Sequence, residues 1–389
     1  MKIIIFGGDG FCGWPTALYL SKEGHEITIV DNLSRRKIDV DLGIKSLTSI
    51  HSIDERIKAW YEITGKKIDF FNIDVADKYE TILSLIKDKK PDAIIHFAEQ
   101  RSAPYSMKGE KEKRYTVSNN TSTTNNILCA IVESEMDIHL VHLGTMGVYG
   151  YETSGYSLPE GYLDIEIDLL NGEKVKKNIL HPVYPGSIYH LTKTFDQLMF
   201  QFYNENDRLR ITDLHQGVVW GTQTEETSLD ERLINRFDYD GEYGTVLNRF
   251  LMQSVVGCPL TVYGKGGQTR AFIHISDTVK CIDIALNNPP NVNDRVAIYN
   301  QMTETYTINE LAKIVSQKTG SKINNVKNPR NEKEDHELIV SNNNFLDAGL
   351  NPTTLDDGLL DEVINIVKKY EHNCDLSKIP SYSNWTKEK

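Results

Sequence analysis

The chain opens on a continuous apolar run, Lys2-Ile3-Ile4-Ile5-Phe6. This is the pattern of a strand buried on both faces of a parallel sheet. Similar runs recur at 26–30, 67–72, 93–97, 138–143 and 210–215. Stretches with helical spacing lie between them, at 14–23, 51–65, 79–89, 115–135 and 187–206. Residues 32–50 read as a loop, and 151–186 as an irregular insertion over a site. Strands alternating with helices at this spacing predict an α/β fold with a Rossmann-type, doubly wound parallel sheet. From about Thr222 the alternation breaks. A charged loop (222–243), a helix (244–256), strands at 259–263, 272–275 and 296–300, and helices at 308–319 and 355–371 predict a smaller mixed α/β unit. The expected division is therefore 1–221 for a dinucleotide-binding domain and 222–389 mainly for a substrate domain, with the chain crossing between the two.

The first strand runs into Gly7-Gly8-Asp9-Gly10-Phe11-Cys12-Gly13. Glycines 7, 10 and 13 let backbone approach a pyrophosphate at the start of a helix, whose free N–H groups favour an anion. Asp31, at the end of the second strand, is placed to accept hydrogen bonds from an adenosine ribose. Arg35 and Arg36 follow closely and could hold a 2′-phosphate, but Asp31 would repel it, so NAD is favoured over NADP. Asp74-Val75 ends the third strand, where a carboxylate could reach an adenine amino group. Arg101 follows the fourth strand and can grip an anion. The fifth strand delivers Gly144-Thr145-Met146-Gly147 to the same edge.

Tyr189 and Lys193 are four residues apart, so on a helix they share one face. An ammonium beside a phenol favours the phenolate, and the tyrosine pKa is expected to fall from about 10 towards neutrality. Such a tyrosine is a general base for an alcohol, one half of a hydride transfer. Thr145 can bond the same substrate hydroxyl and relay its proton to Tyr189.

The formal net charge of −12 argues against a nucleic-acid or anionic-membrane surface. Cysteines 12, 129, 258, 281 and 374 are odd in number and scattered, which fits a reducing cytoplasm. No leader pattern precedes the first strand, and no run of 18 apolar residues reads as a membrane span. No metal-ligand spacing is present, and the eleven histidines read mostly as solvated or capping residues.

Taken with the glycine loop, Asp31, Thr145 and the Tyr189/Lys193 pair, nearly the whole length resembles the extended short-chain dehydrogenases/reductases of the NAD-dependent epimerase/dehydratase family. The stretches Phe97 to Met107, Leu143 to Gly147, Tyr189 to Lys193, Gln216 to Val219, Asn248 to Phe250 and Leu260 to Arg270 are similar to the members of that family that join UDP-glucose and sulfite. The resemblance implies NAD as cofactor, UDP-glucose and sulfite as partners, and a homodimer. It assigns Gly7, Gly10, Phe11, Cys12, Gly13, Asp31, Asn32, Arg35, Arg36, Asp74, Val75, Asn119 and Val219 to NAD. Arg101, Gln216, Tyr189 and Lys193 are implied to touch NAD as well. It assigns Arg101, Thr145, Tyr189, Gln216, Thr245, Arg249, Thr261, Val262, Tyr263, Gln268, Arg270 and Arg330 to the UDP-sugar or sulfite. Bidentate guanidinium groups converging in one cleft would let a −12 protein hold dianions. Related dehydratases carry Asp and Glu after the threonine; Met146 and Gly147 supply neither acid nor base. His190 is the expected candidate for the C5 base. Epimerisation at C4 of UDP-glucose is the alternative activity, since it needs only NAD, Thr145, Tyr189 and Lys193.

Overall fold

The computed structural model describes residues 1–150, 155–328 and 335–379. In chain order the elements are β1 (Lys2–Phe6), α1 (Gly13–Lys22), β2 (Glu26–Val30), α2 (Ser34–Leu42), α3 (Ile53–Thr64), β3 (Ile68–Phe71), α4 (Tyr79–Lys89), β4 (Ala93–His96), α5 (Ala103–Met107), α6 (Glu110–Ser134) and β5 (His139–Leu143). A hairpin of β6 (Tyr162–Asp168) and β7 (Lys174–Leu180) precedes α7 (Ile188–Asp207), β8 (Arg210–Gln216) and β9 (Val218–Trp220). Then come α8 (Val246–Val255), β10 (Leu260–Tyr263), β11 (Gly267–His274), α9 (Ile275–Asn287), β12 (Ala297–Gln301), β13 (Glu304–Thr307), α10 (Ile308–Thr319), β14 (Ile323–Val326), β15 (Asp335–His336), α11 (Asn343–Asp347) and α12 (Leu359–Tyr370).

The central sheet has seven strands in the order β12-β8-β5-β4-β1-β2-β3, and every pairing in it is parallel. Its apolar runs are explained by helices on both faces. Ile3, Ile5, Ile27 and Ile29 pack with Trp14, Leu18 and Trp60 on one side. Ile4, Phe6, Val30 and Ile94 pack with Ile82, Ile86, Ile131 and Phe200 on the other. Successive strand residues point to opposite faces, so one run feeds both cores. A second core joins β10 and β11 to α8, α10 and α12 through Val262, Phe250, Leu311 and Val363.

The chain passes from the large sheet to the second core after β8, returns at β12, and leaves again at β13. β9 pairs with β11 outside the large sheet, whereas β12, from the second half, pairs with β8 and forms that sheet's edge. Among the described residues no helix is long and apolar enough to cross a membrane.

Two expectations about local structure are corrected. The loop expected at 32–50 contains α2, closed by Gly43 in the left-handed region and supported by an Arg35–Asp39 pair four residues apart. The insertion at 151–186 contains the β6–β7 hairpin, fully paired from Tyr162 with Leu180 to Asp168 with Lys174. Its Asn171-Gly172 turn, flanked by alternating residues, is a strong hairpin signal.

Candidate active site

A cleft of about 350 Å³ opens at the carboxyl ends of β1, β4, β5 and β8. The strand order reverses between β1 and β4, and such a reversal leaves a crevice for ligands. A smaller cleft continues it past β2 and β3 and shares Gly7, Gly10, Ser34 and Arg35 with it.

The glycine loop lines both. Gly7 has φ +83°, and a Cβ there would meet the Phe97 carbonyl carbon at 2.6 Å; a Cβ on Gly13 would meet the Gly7 oxygen at 2.2 Å. Larger residues would push the loop off the sheet. No side chain caps the start of α1, so its first N–H groups face the loop free of side-chain acceptors. Phe11, Cys12 and Val219 line the large cleft beside it. Burial pushes the Cys12 thiol up to about 11, so it stays protonated.

Asp31, Asn32, Asp74, Val75 and Asn119 line the smaller cleft. Asp31 accepts from the Asp9 and Leu33 amides at 3.0 and 2.7 Å. Burial, with the Asp9 carboxylate beside it, raises its pKa to about 6. Arg36 is bidentate to Asp9 at 2.6 and 2.8 Å, and Arg35 binds Asp39 and Asp238. Both guanidiniums are thus neutralised within the protein, which disfavours a 2′-phosphate and fits NAD. Arg36 does not reach either cleft wall.

Thr145, Tyr189 and Lys193 come together on the wall of the large cleft. Ser187 caps α7 by accepting from the His190 amide at 3.1 Å, and Ser106 holds the Tyr189 amide at 3.1 Å. Asn120 ties this helix to the loop after β4: it bonds both backbone groups of Gln100 and the Thr192 hydroxyl. The surroundings of Tyr189 do not favour the expected fall in its pKa. Burial pushes it up to about 12; Lys193, Arg101 and a hydrogen bond from Thr145 pull it down but do not win, and Glu99 adds to the rise. Lys193 is itself held by others, 2.9 Å from Glu99 and 2.8 Å from both His142 Nε2 and the Leu143 carbonyl.

Glu99 and His142 were not singled out by the sequence reading, nor were Asp196, Asp213 and His215. A usable signal existed: polar residues inside or just after strands that otherwise read as buried must find partners there. The histidines are corrected accordingly, since His96, His139, His142, His181, His190, His215 and His274 are all buried. His96, Glu99 and His142 lie close enough to hold a metal, but the Lys193 ammonium already binds two of them, Glu99 and His142.

His190 lines the same cleft as Tyr189 although the two are adjacent on the helix. Its ring lies on Gly147: a Cβ at 147 would meet His190 Nε2 at 2.4 Å. An imidazole therefore fills the space into which a glutamate at 147 would project.

Across the cleft from the second half come Thr245, Arg249, Thr261, Tyr263, Gln268 and Arg270, and Gln216 joins them from the end of β8. The Thr245 hydroxyl, Arg249 Nε, the Tyr263 hydroxyl and Gln268 Nε2 are buried without hydrogen-bond partners among the described residues. Unpaired buried polar groups are costly, and four in one cleft suit a polar ligand such as a nucleotide. Arg270 is bonded to His336 at 2.8 Å. Val262 does not face the cleft: on β10 it alternates with Thr261 and Tyr263, and its side chain is fully buried in the second core. Arg101 lines the cleft and bonds Asp238 at 2.7 Å. Arg330 lies outside the described residues.

Comparison with known proteins agrees with this geometry. The NAD dependent epimerase/dehydratase family matches residues 3–300. The chain is 44% identical to the chloroplastic UDP-sulfoquinovose synthase of Spinacia oleracea, over 99% of this chain and 79% of that protein. It is 41% identical to the UDP-sulfoquinovose synthase of Sulfolobus acidocaldarius, over 86% of this chain and 84% of that one. Among solved structures, the UDP-glucose 4-epimerase of Thermotoga maritima with UDP-glucose superposes with a TM-score of 0.70 at 19% identity, covering 95% of this chain and 99% of the other, a likeness of fold. With a NAD site, a Thr-Tyr-Lys constellation and relatives of this kind, the chain belongs to the NAD-dependent epimerase/dehydratase family and, within it, to the UDP-sulfoquinovose synthase group.

Proposed function

We propose that the protein joins UDP-glucose and sulfite to give UDP-sulfoquinovose and water. The observation that carries this reading is the His190 ring seated on Gly147, beside Thr145 and Tyr189. The cleft has the apparatus for C4 oxidation, but an imidazole where a dehydratase has its carboxylate. The relatives at 44% and 41% identity support the same conclusion.

Bound NAD supplies a reversible hydride acceptor for C4. Gly7, Gly10, Phe11, Cys12 and Gly13 would hold its pyrophosphate, Asp31 and Asn32 its ribose, and Asp74, Val75 and Asn119 its adenine end. Tyr189, with Lys193 behind it, takes the C4 hydroxyl proton through Thr145 and later returns it. The C4 ketone acidifies the C5 hydrogen, which His190 removes. Loss of the C6 hydroxyl leaves an enone, and the soft nucleophile sulfite adds at C6. Arg249, Arg270, Thr245, Thr261, Tyr263, Gln268 and Gln216 would bind the UDP portion, and Arg101 the sulfite. His190→Ala should abolish exchange of the C5 hydrogen into solvent; unchanged exchange would remove His190 from this role.

A homodimer is part of the proposal, supported by Leu198 and Phe202, exposed one turn apart on α7. Five free cysteines support a cytoplasmic setting. The deciding experiment incubates the protein with UDP-glucose, with and without sulfite, and weighs the products. A sulfonated UDP-hexose formed only with sulfite is expected. UDP-galactose without any sulfonate would establish the epimerase instead.

A further inference from the structure

Behind Lys193, away from the cleft, lies a row of polar side chains that the proposed chemistry does not use. β4, β5 and β8 are in register, so that His96, His142 and Asp213 stand side by side across the sheet. An ammonium can only donate. At 2.8 Å from Lys193 Nζ, His142 Nε2 is therefore an acceptor. This fixes the tautomer: Nδ1 carries the proton and donates to Asp213 Oδ1 at 2.8 Å. Asp213 Oδ2 lies 3.0 Å from His215 Nε2, and His215 Nδ1 lies 2.6 Å from the Tyr149 hydroxyl. All of these side chains are buried.

We propose that His142 is an internal proton acceptor for Tyr189, reached through Lys193 and held in its accepting tautomer by Asp213, His215 and Tyr149. Lys193 gives one of its own protons to His142 Nε2. As Tyr189 ionises, its O–H bond breaks and the proton goes to the amine so formed. One N–H bond forms on His142, the lysine remains an ammonium, and nothing is oxidised or reduced. The products are a phenolate in the cleft and an imidazolium between the Glu99 and Asp213 carboxylates. A ligand-filled cleft excludes water, so the proton needs a destination on the protein side.

The surroundings suit an imidazolium. His142 is faced by His96 from β4, Glu99 just beyond it, Asp213 from β8, and Lys193, Asp196 and the edge of Phe200 from α7. Burial and Lys193 oppose a charge there; Asp213 and Glu99 outweigh them and raise the His142 pKa above its ordinary value. Burial, then Glu99, raises the Asp196 pKa well above its ordinary value.

The proposal rests on Tyr189 as the base and not on sulfite as the co-substrate. Its test uses the full-length, NAD-loaded protein without turnover. The phenolate absorbance of Tyr189 is followed against pH, with Tyr189→Phe subtracted. His142→Gln still accepts a hydrogen bond from Lys193 but cannot be protonated. It should move the Tyr189 midpoint up by about one pH unit or more. Tyr149→Phe, the milder change at the far end of the row, should move it up by less and decides the matter if His142→Gln does not fold. Midpoints that match the parent protein, or that fall, would overturn the relay. A protein that formed no sulfonate but kept these shifts would lose the sulfite reading alone.

Discussion

Lys193 and Arg101 are both cations on the wall of one cleft, yet the Lys193 side chain is 4% exposed and that of Arg101 is 33%. The difference extends to their partners. Lys193 is enclosed by Glu99, His142 and Asp196, each 3% exposed or less. Arg101 shares the Asp238 carboxylate with Arg35 and Arg236 and also stands 5.4 Å from the faces of Phe11 and Tyr243. A charge fixed in a dry setting can govern the protonation of its neighbours, because fields there are weakly screened. A guanidinium at a wet rim, bound to a carboxylate that two others also hold, can exchange partners with an incoming anion at small cost. The first cluster suits proton chemistry and the second anion capture.

The contrast can be broken at its strong end first. Lys193→Met should lower turnover by about a thousandfold or more. It should also destabilise the fold by about 3–5 kcal/mol, because the buried Glu99 carboxylate loses the ammonium beside it. Rapid-quench kinetics and melting curves measure both, and an unaltered melting temperature would show that Glu99 does not depend on the lysine. Next is Gly147→Val, whose side chain collides with the His190 ring. A loss of about a hundredfold in C5-hydrogen exchange is expected, with C4 oxidation less affected. Equal losses in both steps would mean that the substitution disturbs the whole cleft.

At the wet wall, Arg101→Ala should cost at most about 1 kcal/mol in stability. It should nevertheless raise the KM for sulfite about tenfold, as expected for a lost charge-assisted hydrogen bond. A raised KM for UDP-glucose with sulfite unaffected would move the anion site elsewhere. The smallest effect concerns Asp31. Its raised pKa of about 6 means that the folded, ligand-free protein takes up a proton as pH falls through that value. The protonated form is a poorer acceptor for ribose hydroxyls, so NAD affinity should weaken below about pH 6, by at most tenfold per unit. Asp31→Asn should bind more weakly and lose this dependence, as titration calorimetry can check.

Legibility in the sequence followed the same division. Local patterns gave the strands, the glycine loop and the Tyr189–Lys193 spacing, because each is set by neighbours along the chain. The buried row behind Lys193 was not legible, because His142, Asp213 and Glu99 meet only through the register of β4, β5 and β8. The direction of the Tyr189 shift was missed for a related reason: the lysine was visible in the sequence, and the burial that outweighs it was not. Val262 was assigned from a contiguous motif, whereas the alternation of β10 turns its side chain into the core. Helix α2 was hidden by its charged composition, with only Ile38 buried.

The edge position of β12 has a practical consequence. Ala297–Gln301 shields the hydrogen-bonding rim of Arg210–Gln216, and Asn300 accepts a bond from Tyr149 at 3.2 Å. A fragment cut after residue 221 would therefore carry an open strand, ready to pair with other copies, and would lack a support of the row behind Lys193. The first half is not a portable module: exchanging second halves between relatives would require moving residues 297–301 with the first half.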